Sequence, residues 1–263
     1  MTWLSSLPVA ALVAGWLAVA LLVVVLTRLA IRALVPAAEY DEVQRIASPL
    51  MPALGAAFAI LTALTLSSEA GYLRAAEGNV SDEAAAASRL AWAATSPGAR
   101  SEPIHAALRE YLRTTRTREW RGDAAASGDD PATERAIADL ERAVRSEAAR
   151  SELGTPASTE LLASVDAVTS IRRARIAAAD REIPALYVVT LVASGVALIA
   201  NAGALAFRSS TRTAMLVVGL ASVVGLSFAL LFSLSAPWRG PLTVSGDPID
   251  AIVRDLDTGF FDS

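Results

Sequence analysis

The single histidine of the chain, His105, stands three residues after Glu102, and Glu-x-x-His is half of a carboxylate-bridged di-iron site. The other half needs a second histidine, which the sequence lacks. A zinc centre of histidine and cysteine fails on the same ground, because the 263 residues include no cysteine. As the base of a serine nucleophile His105 would need a Gly-x-Ser-x-Gly elbow to serve, and there is none. A phosphate-cradling Gly-x-x-x-x-Gly-Lys loop is excluded, since all 23 basic residues are arginine. Asp129 and Asp130 form an acidic pair that either binds a cation or caps the helix opened by Pro131. These residues predict no catalytic group, no cofactor and no metal site, with His105 at the surface near a helix start.

Arginine is the more informative residue type. Arg109, Arg113 and Arg116 follow one helical face, with Arg118 and Arg121 nearby, and read as a solvated face. Arg172, Arg173, Arg175 and Arg181 precede an apolar run. They either touch anionic headgroups or line the mouth of an ion pathway, or else form, like the first cluster, a solvated face, the acids facing the two clusters together being Glu110, Glu119, Asp180 and Glu182. A net charge of −4 and a pI near 5.2 offer no general field for nucleic acid.

A third constellation lies in an uncharged run. Gly55, Phe58, Thr62, Thr65 and Glu69 recur at three- to four-residue spacing and mark one face of a helix. Copies of that helix around an axis would line a pore, with Phe58 as a hydrophobic constriction and Glu69 as a charged ring; ordinary bundle packing is the alternative. Gly55, Ala59 and Ala63 form a neighbouring small-residue series for close helix approach.

The elements that position these residues are helices crossing a bilayer. The chain is 54% hydrophobic, with a mean hydropathy of +0.44. Uncharged runs at 8–27, 46–66, 184–207 and 213–238 each meet the roughly 20-residue requirement for a span. The first run is too long for a signal h-region and has no basic flank before it, so it reads as retained. The expected architecture is all-α and integral to the membrane, with four transmembrane helices in two hairpins and a helical soluble insert. Its parts are a first hairpin (1–66), the insert (67–183), a second hairpin (184–238) and a short tail (239–263). Asn201, a lone amide in the third span, should face protein, and Ala193, Ala197, Gly203, Ala221 and Gly225 offer close-packing surfaces.

Within the insert, Pro103, Pro131 and Pro156 each stand where a helix would begin, as Pro248 does in the tail. Ile104, Leu108, Tyr111 and Leu112 form one apolar stripe, Ile137, Leu140 and Val144 a second, and Leu161, Val165 and Val168 a third. A further helix is expected to start near Ser81, and 122–130 to form a flexible loop. Arg28, Arg32, Arg45, Arg208 and Arg212 in the short connections favour the insert outside the cell, while Arg74, Arg172 and Arg173 at its own flanks pull the other way.

The passages LSSEAGYLRAAEG, IHAALREYLRTTRTREWRG, SIRRARIAAADREIP and SAPWRGPLTVSGDPIDAIV resemble those of the bestrophin-like bacterial membrane proteins. The matching positions are Tyr111, Glu119, Trp120, Arg172, Arg173, Arg175, Pro184, Pro237, Trp238 and Gly240. Ser235 or Ala236 stands where that pattern has aspartate, and Trp238 replaces its phenylalanine. The resemblance implies a pentameric anion channel whose second helix lines the pore, with the insert in the cytoplasm; no calcium-clasp run of acids is present. The expected function is therefore an oligomeric ion channel of the bacterial inner membrane, whose partners are the lipid bilayer, further copies of the chain and small ions. The other reading is a non-conducting scaffold or envelope-stress factor that binds a partner through its insert.

Overall fold

The computed structural model describes residues 9–120, 125, 127–180, 184–207, 211–234, 238 and 243–262. Its main elements are α1 (Val9–Leu34), α2 (Tyr40–Ala93), α3 (Ser101–Arg118), α4 (Pro131–Ala148), α5 (Thr155–Ala179), α6 (Ala185–Leu205), α7 (Thr211–Leu234) and α8 (Asp247–Asp257). No strand occurs among the described residues. Four helices are long and apolar enough to cross a membrane: α1, α2, α6 and α7. The expected loop at 122–130 and Arg121, Arg181 and Arg208 lie wholly or partly outside the described residues.

The chain forms two compact units. The first holds α1, α2 as far as Gly71, α6 and α7; the second holds α2 from Tyr72, then α3, α4, α5 and α8. No helix begins at Ser81, because α2 runs unbroken for 54 residues. Ser81-Asp82-Glu83 has the composition of a helix start, but nothing upstream stops the helix. Gly71 and Gly78 each cost only about 1 kcal/mol, and no proline intervenes.

In the first unit α1 packs against both α6 and α7. Gly225 lets α7 approach the backbone of Trp16 so closely that a Cβ there would sit 3.3 Å from the Trp16 carbonyl oxygen. The Trp16 ring stacks on Phe228 and Phe232 at centroid distances of 4.9 and 5.2 Å. Asn201 faces protein, donating from Nδ2 to the Ala47 carbonyl of α2 at 3.0 Å. Arg28 Nη2 and Gln44 Nε2 donate to the carbonyls of Ala206 and Leu205, so the C-terminal end of α6 is capped and its negative dipole end meets a cation. Ala221 is buried as expected, but Ala193 and Ala197 are exposed and Gly195 provides the close approach on α6 instead.

In the second unit the three apolar stripes face one core. Ile104, Leu108, Tyr111, Leu112, Leu140, Val144, Leu161 and Val168 have no exposed surface, each large side chain contributing about 1.5–3 kcal/mol on burial. The C-terminal helix α8 lies along α3, inserting Ile249 and Leu256 into the same core. Asp130 is an N-cap, not half of a cation site. Its Oδ1 accepts the N–H groups of Ala132 and Thr133, each at 3.0 Å, and these bonds, that of Thr133 foremost, hold its carboxyl below the usual range.

Candidate functional site

The face of α2 that carries the predicted pore stripe is turned into the chain's own bundle. Phe58, Thr62 and Glu69 are buried, while Gly55 and Thr65 are half-buried. The Phe58 ring meets Phe228 edge-on at 6.1 Å. A Cβ on Gly195 would lie 3.0 Å from Phe228 and 3.2 Å from Phe58, so α6 comes this close only because that position is glycine. Thr65 Oγ1 donates to the Leu61 carbonyl one turn back. The opposite face of the same helix, with Pro49, Pro52, Ala56, Ile60, Ala63 and Ser67, is exposed. At about 100° per residue these positions cluster around one direction, and the stripe of Phe58, Thr62 and Thr65 points the other way.

The arginines ahead of the third apolar run are divided by the helix period. Arg173 is exposed. Arg172 and Arg175, expected at solvent or at headgroups, are buried inside the second unit, because α5 directs them towards α2 and α3. Arg175 has no exposed surface; its Nε reaches Glu83 at 2.6 Å and its Nη2 reaches Glu119 at 3.3 Å. Arg172 Nη2 reaches Glu119 at 2.6 Å, Glu134 at 3.0 Å and the Gly128 carbonyl at 3.2 Å. Gly128 can hold that carbonyl in place because its φ of +59° suits glycine. The Tyr111 hydroxyl donates to the other oxygen of Glu83. Burial, and then the Glu83 charge, push the Tyr111 hydroxyl well above its ordinary pKa. Burial also works against the Arg175 charge, but the carboxylates of Glu83 and Glu119 outweigh it and the guanidinium is held charged.

Two buried carboxylates thus face two buried guanidiniums. Their charges balance, while Arg172 Nε and Arg175 Nη1 are buried without a hydrogen-bond partner among the described residues. Glu83 was not singled out in the sequence, because a glutamate after Ser-Asp resembles a first-turn residue. The clue was its place in the apolar series of Ala76, Val80 and Ala87, all buried on the same face.

The other sequence candidates are absorbed into structure. Arg109 and Arg113 pair with Asp257, and Arg116 pairs through both carboxylate oxygens with Asp250, so the supposed solvated face seats α8. His105 is buried, not at the surface; Nε2 lies 3.0 Å from the Ala91 carbonyl and Nδ1 3.3 Å from Asp262. Its helical face continues that of Leu108 and Leu112 and is covered by the end of α2 and the C-terminal turn. Among the described residues no cluster of three or more His, Asp and Glu side chains could hold a metal.

A helical membrane unit with an uncovered second helix and an all-helical insert closed by ion pairs define the class of this protein. A family model described as the Bestrophin-like domain matches residues 18–249, and the chain belongs to that family. The fold is shared with a point mutant of a bacterial bestrophin homologue from Klebsiella pneumoniae, 13% identical, at a TM-score of 0.69 over 95% of this chain and 99% of that one. A second solved structure, a point mutant described as a membrane protein, is 13% identical at a TM-score of 0.67, covering 93% of this chain and 97% of the other. No curated protein sequence matches.

Proposed function

We propose that the chain assembles with copies of itself in the bacterial inner membrane into a pore for small ions, with α2 facing the symmetry axis. One observation carries this reading: the face of α2 bearing Ala56, Ile60 and Ala63 is left uncovered by its own chain although it belongs to a membrane span. Small side chains let helices crowd an axis, and Ile60 is the one bulky group at the centre of the face. The constriction is therefore assigned to Ile60, while Phe58, fixed between α6 and α7, backs the lining helix. Gly55, half-buried at the edge of the face, completes it, and Thr62, Thr65 and Glu69 brace it from behind.

The test is ion flux from liposomes holding the purified full chain, beside its mass in a native membrane mimic. An oligomer that conducts, and whose conductance rises in Ile60→Ala, supports the proposal. A monomer, or an oligomer that passes no ions, overturns it. If Phe58→Ala changed conductance while Ile60→Ala did not, the lining would belong to the original stripe.

A further inference from the structure

In the second unit α2 keeps one face against the core and leaves the other bare. Ala76, Val80, Ala84, Ala87 and Leu90 are buried with Glu83. Arg74, Ser81 and Ala85 are exposed, and a Cβ on Gly78 would meet nothing within 4 Å. By the helix period, these four positions fall within roughly 40° of one direction. The face is small-residued for about three turns, with Arg74 as the charge at its centre. Exposed Glu77 and Asp82 lie on its two flanks, and Arg89 is already paired with Glu160 at 2.8 Å. Among the described residues nothing hydrogen-bonds or ion-pairs with Arg74.

Three of the other charges predicted for this role are withdrawn from it, while Arg173 stays exposed on α5. Glu69, the predicted charged ring, is buried, and Arg172 and Arg175 are neutralised by Glu83 and Glu119.

We infer that Arg74 is the residue that sets the charge preference of the pore. Repeated in each copy around the axis, its guanidiniums form a positive ring that concentrates small monovalent anions at the lining. The small residues Gly78, Ser81 and Ala85 let the copies stand close enough for their fields to add within a Debye length of about 8 Å. Glu77 and Asp82, roughly 60° and 80° around the helix from Arg74, face the contacts between copies more than the axis. This assignment rests on the pore reading above, and a ring of this kind raises the local counter-ion concentration by roughly tenfold or more.

The experiment measures the reversal potential across bilayers holding the full chain under a potassium chloride gradient. In parallel, Ser81→Cys is treated with a short bis-maleimide, which has no other thiol to attack because the chain is cysteine-free. The expected result is a preference for chloride in the unmodified protein that falls about tenfold in Arg74→Glu and by an intermediate factor in Arg74→Gln. Ser81→Cys is expected to yield cross-linked multimers. Conductance with an ion preference unmoved by Arg74→Glu overturns the assignment and leaves the pore reading standing. So does a native oligomer whose Ser81→Cys form does not cross-link. A monomer, or an oligomer without conductance, overturns both.

Discussion

Arg175 and Glu83 meet at 2.6 Å with neither side chain exposed to solvent, joining α5 to α2 in the interior of the insert. Removing one partner of such a pair leaves the other charged in a medium that solvates it poorly. Glu83→Gln is therefore expected to cost about 3–5 kcal/mol. Glu134→Gln removes a half-exposed partner of Arg172 and is expected to cost less than about 1 kcal/mol. Thermal unfolding of the detergent-solubilised variants compares the two.

The contact between Asp250 and Arg116 makes the seat of α8 sensitive to acid. The hydrogen bond from Arg116 depresses the Asp250 carboxyl, and burial only partly opposes it. A depressed carboxyl contributes stability above its unfolded pKa, near 3.9, and loses it as pH falls through the lower folded value. Hydrogen exchange in residues 247–257, corrected for intrinsic rate, is expected to accelerate between pH 4 and pH 2. Asp250→Asn should show fast exchange already at neutral pH, with the acid-induced step reduced.

Gly246 admits the Arg116 side chain. A Cβ there would collide with the Arg116 guanidinium, which also stacks 4.5 Å over the Trp120 ring and is held by Asp250. Fixed on two sides, that normally flexible end cannot swing away cheaply. Gly246→Ala is expected to destabilise the insert by about 1–3 kcal/mol, with Trp120 fluorescence reporting the displaced guanidinium.

Two glycines of the membrane unit should respond in opposite ways. Gly195→Ala forces a methyl between Phe58 and Phe228 and is expected to cost about 1–3 kcal/mol. At Gly219 a Cβ meets nothing within 4 Å, so Gly219→Ala in α7 should be neutral or slightly stabilising. The difference in midpoint of thermal inactivation between the two variants is the measurement.

The spans, the proline-opened helices and the core stripes were legible in the sequence because each is a local signal: an uncharged run, an N1 proline, or an apolar residue every third or fourth position. Asp130 behaves as its place before Pro131 implies. What the sequence did not disclose is which face of an otherwise legible helix meets its own chain. Phe58 and Ile60 are two residues apart and both apolar, yet only Phe58 finds Gly195, more than a hundred positions away. The same limit separated Arg173, which is exposed, from Arg172 and Arg175, whose partners come from α2 and α3. Charge pairs formed across such distances leave no local pattern, so the arginine run read as a surface.

The seating of α8 on α3 determines when the insert can be finished. Its last wall is encoded after α6 and α7, so a ribosome delivers it on the order of several seconds after α5 has been made. During that interval the surface around Leu108 and Leu112 awaits Ile249 and Leu256, and two apolar helices must be threaded into the bilayer before these arrive. Because α8 and α3 touch, the tail and the insert must end on the same side of the membrane. A chain that misplaces either helix of the second hairpin strands its own final segment across the bilayer from the groove it should fill, and its insert stays incompletely folded.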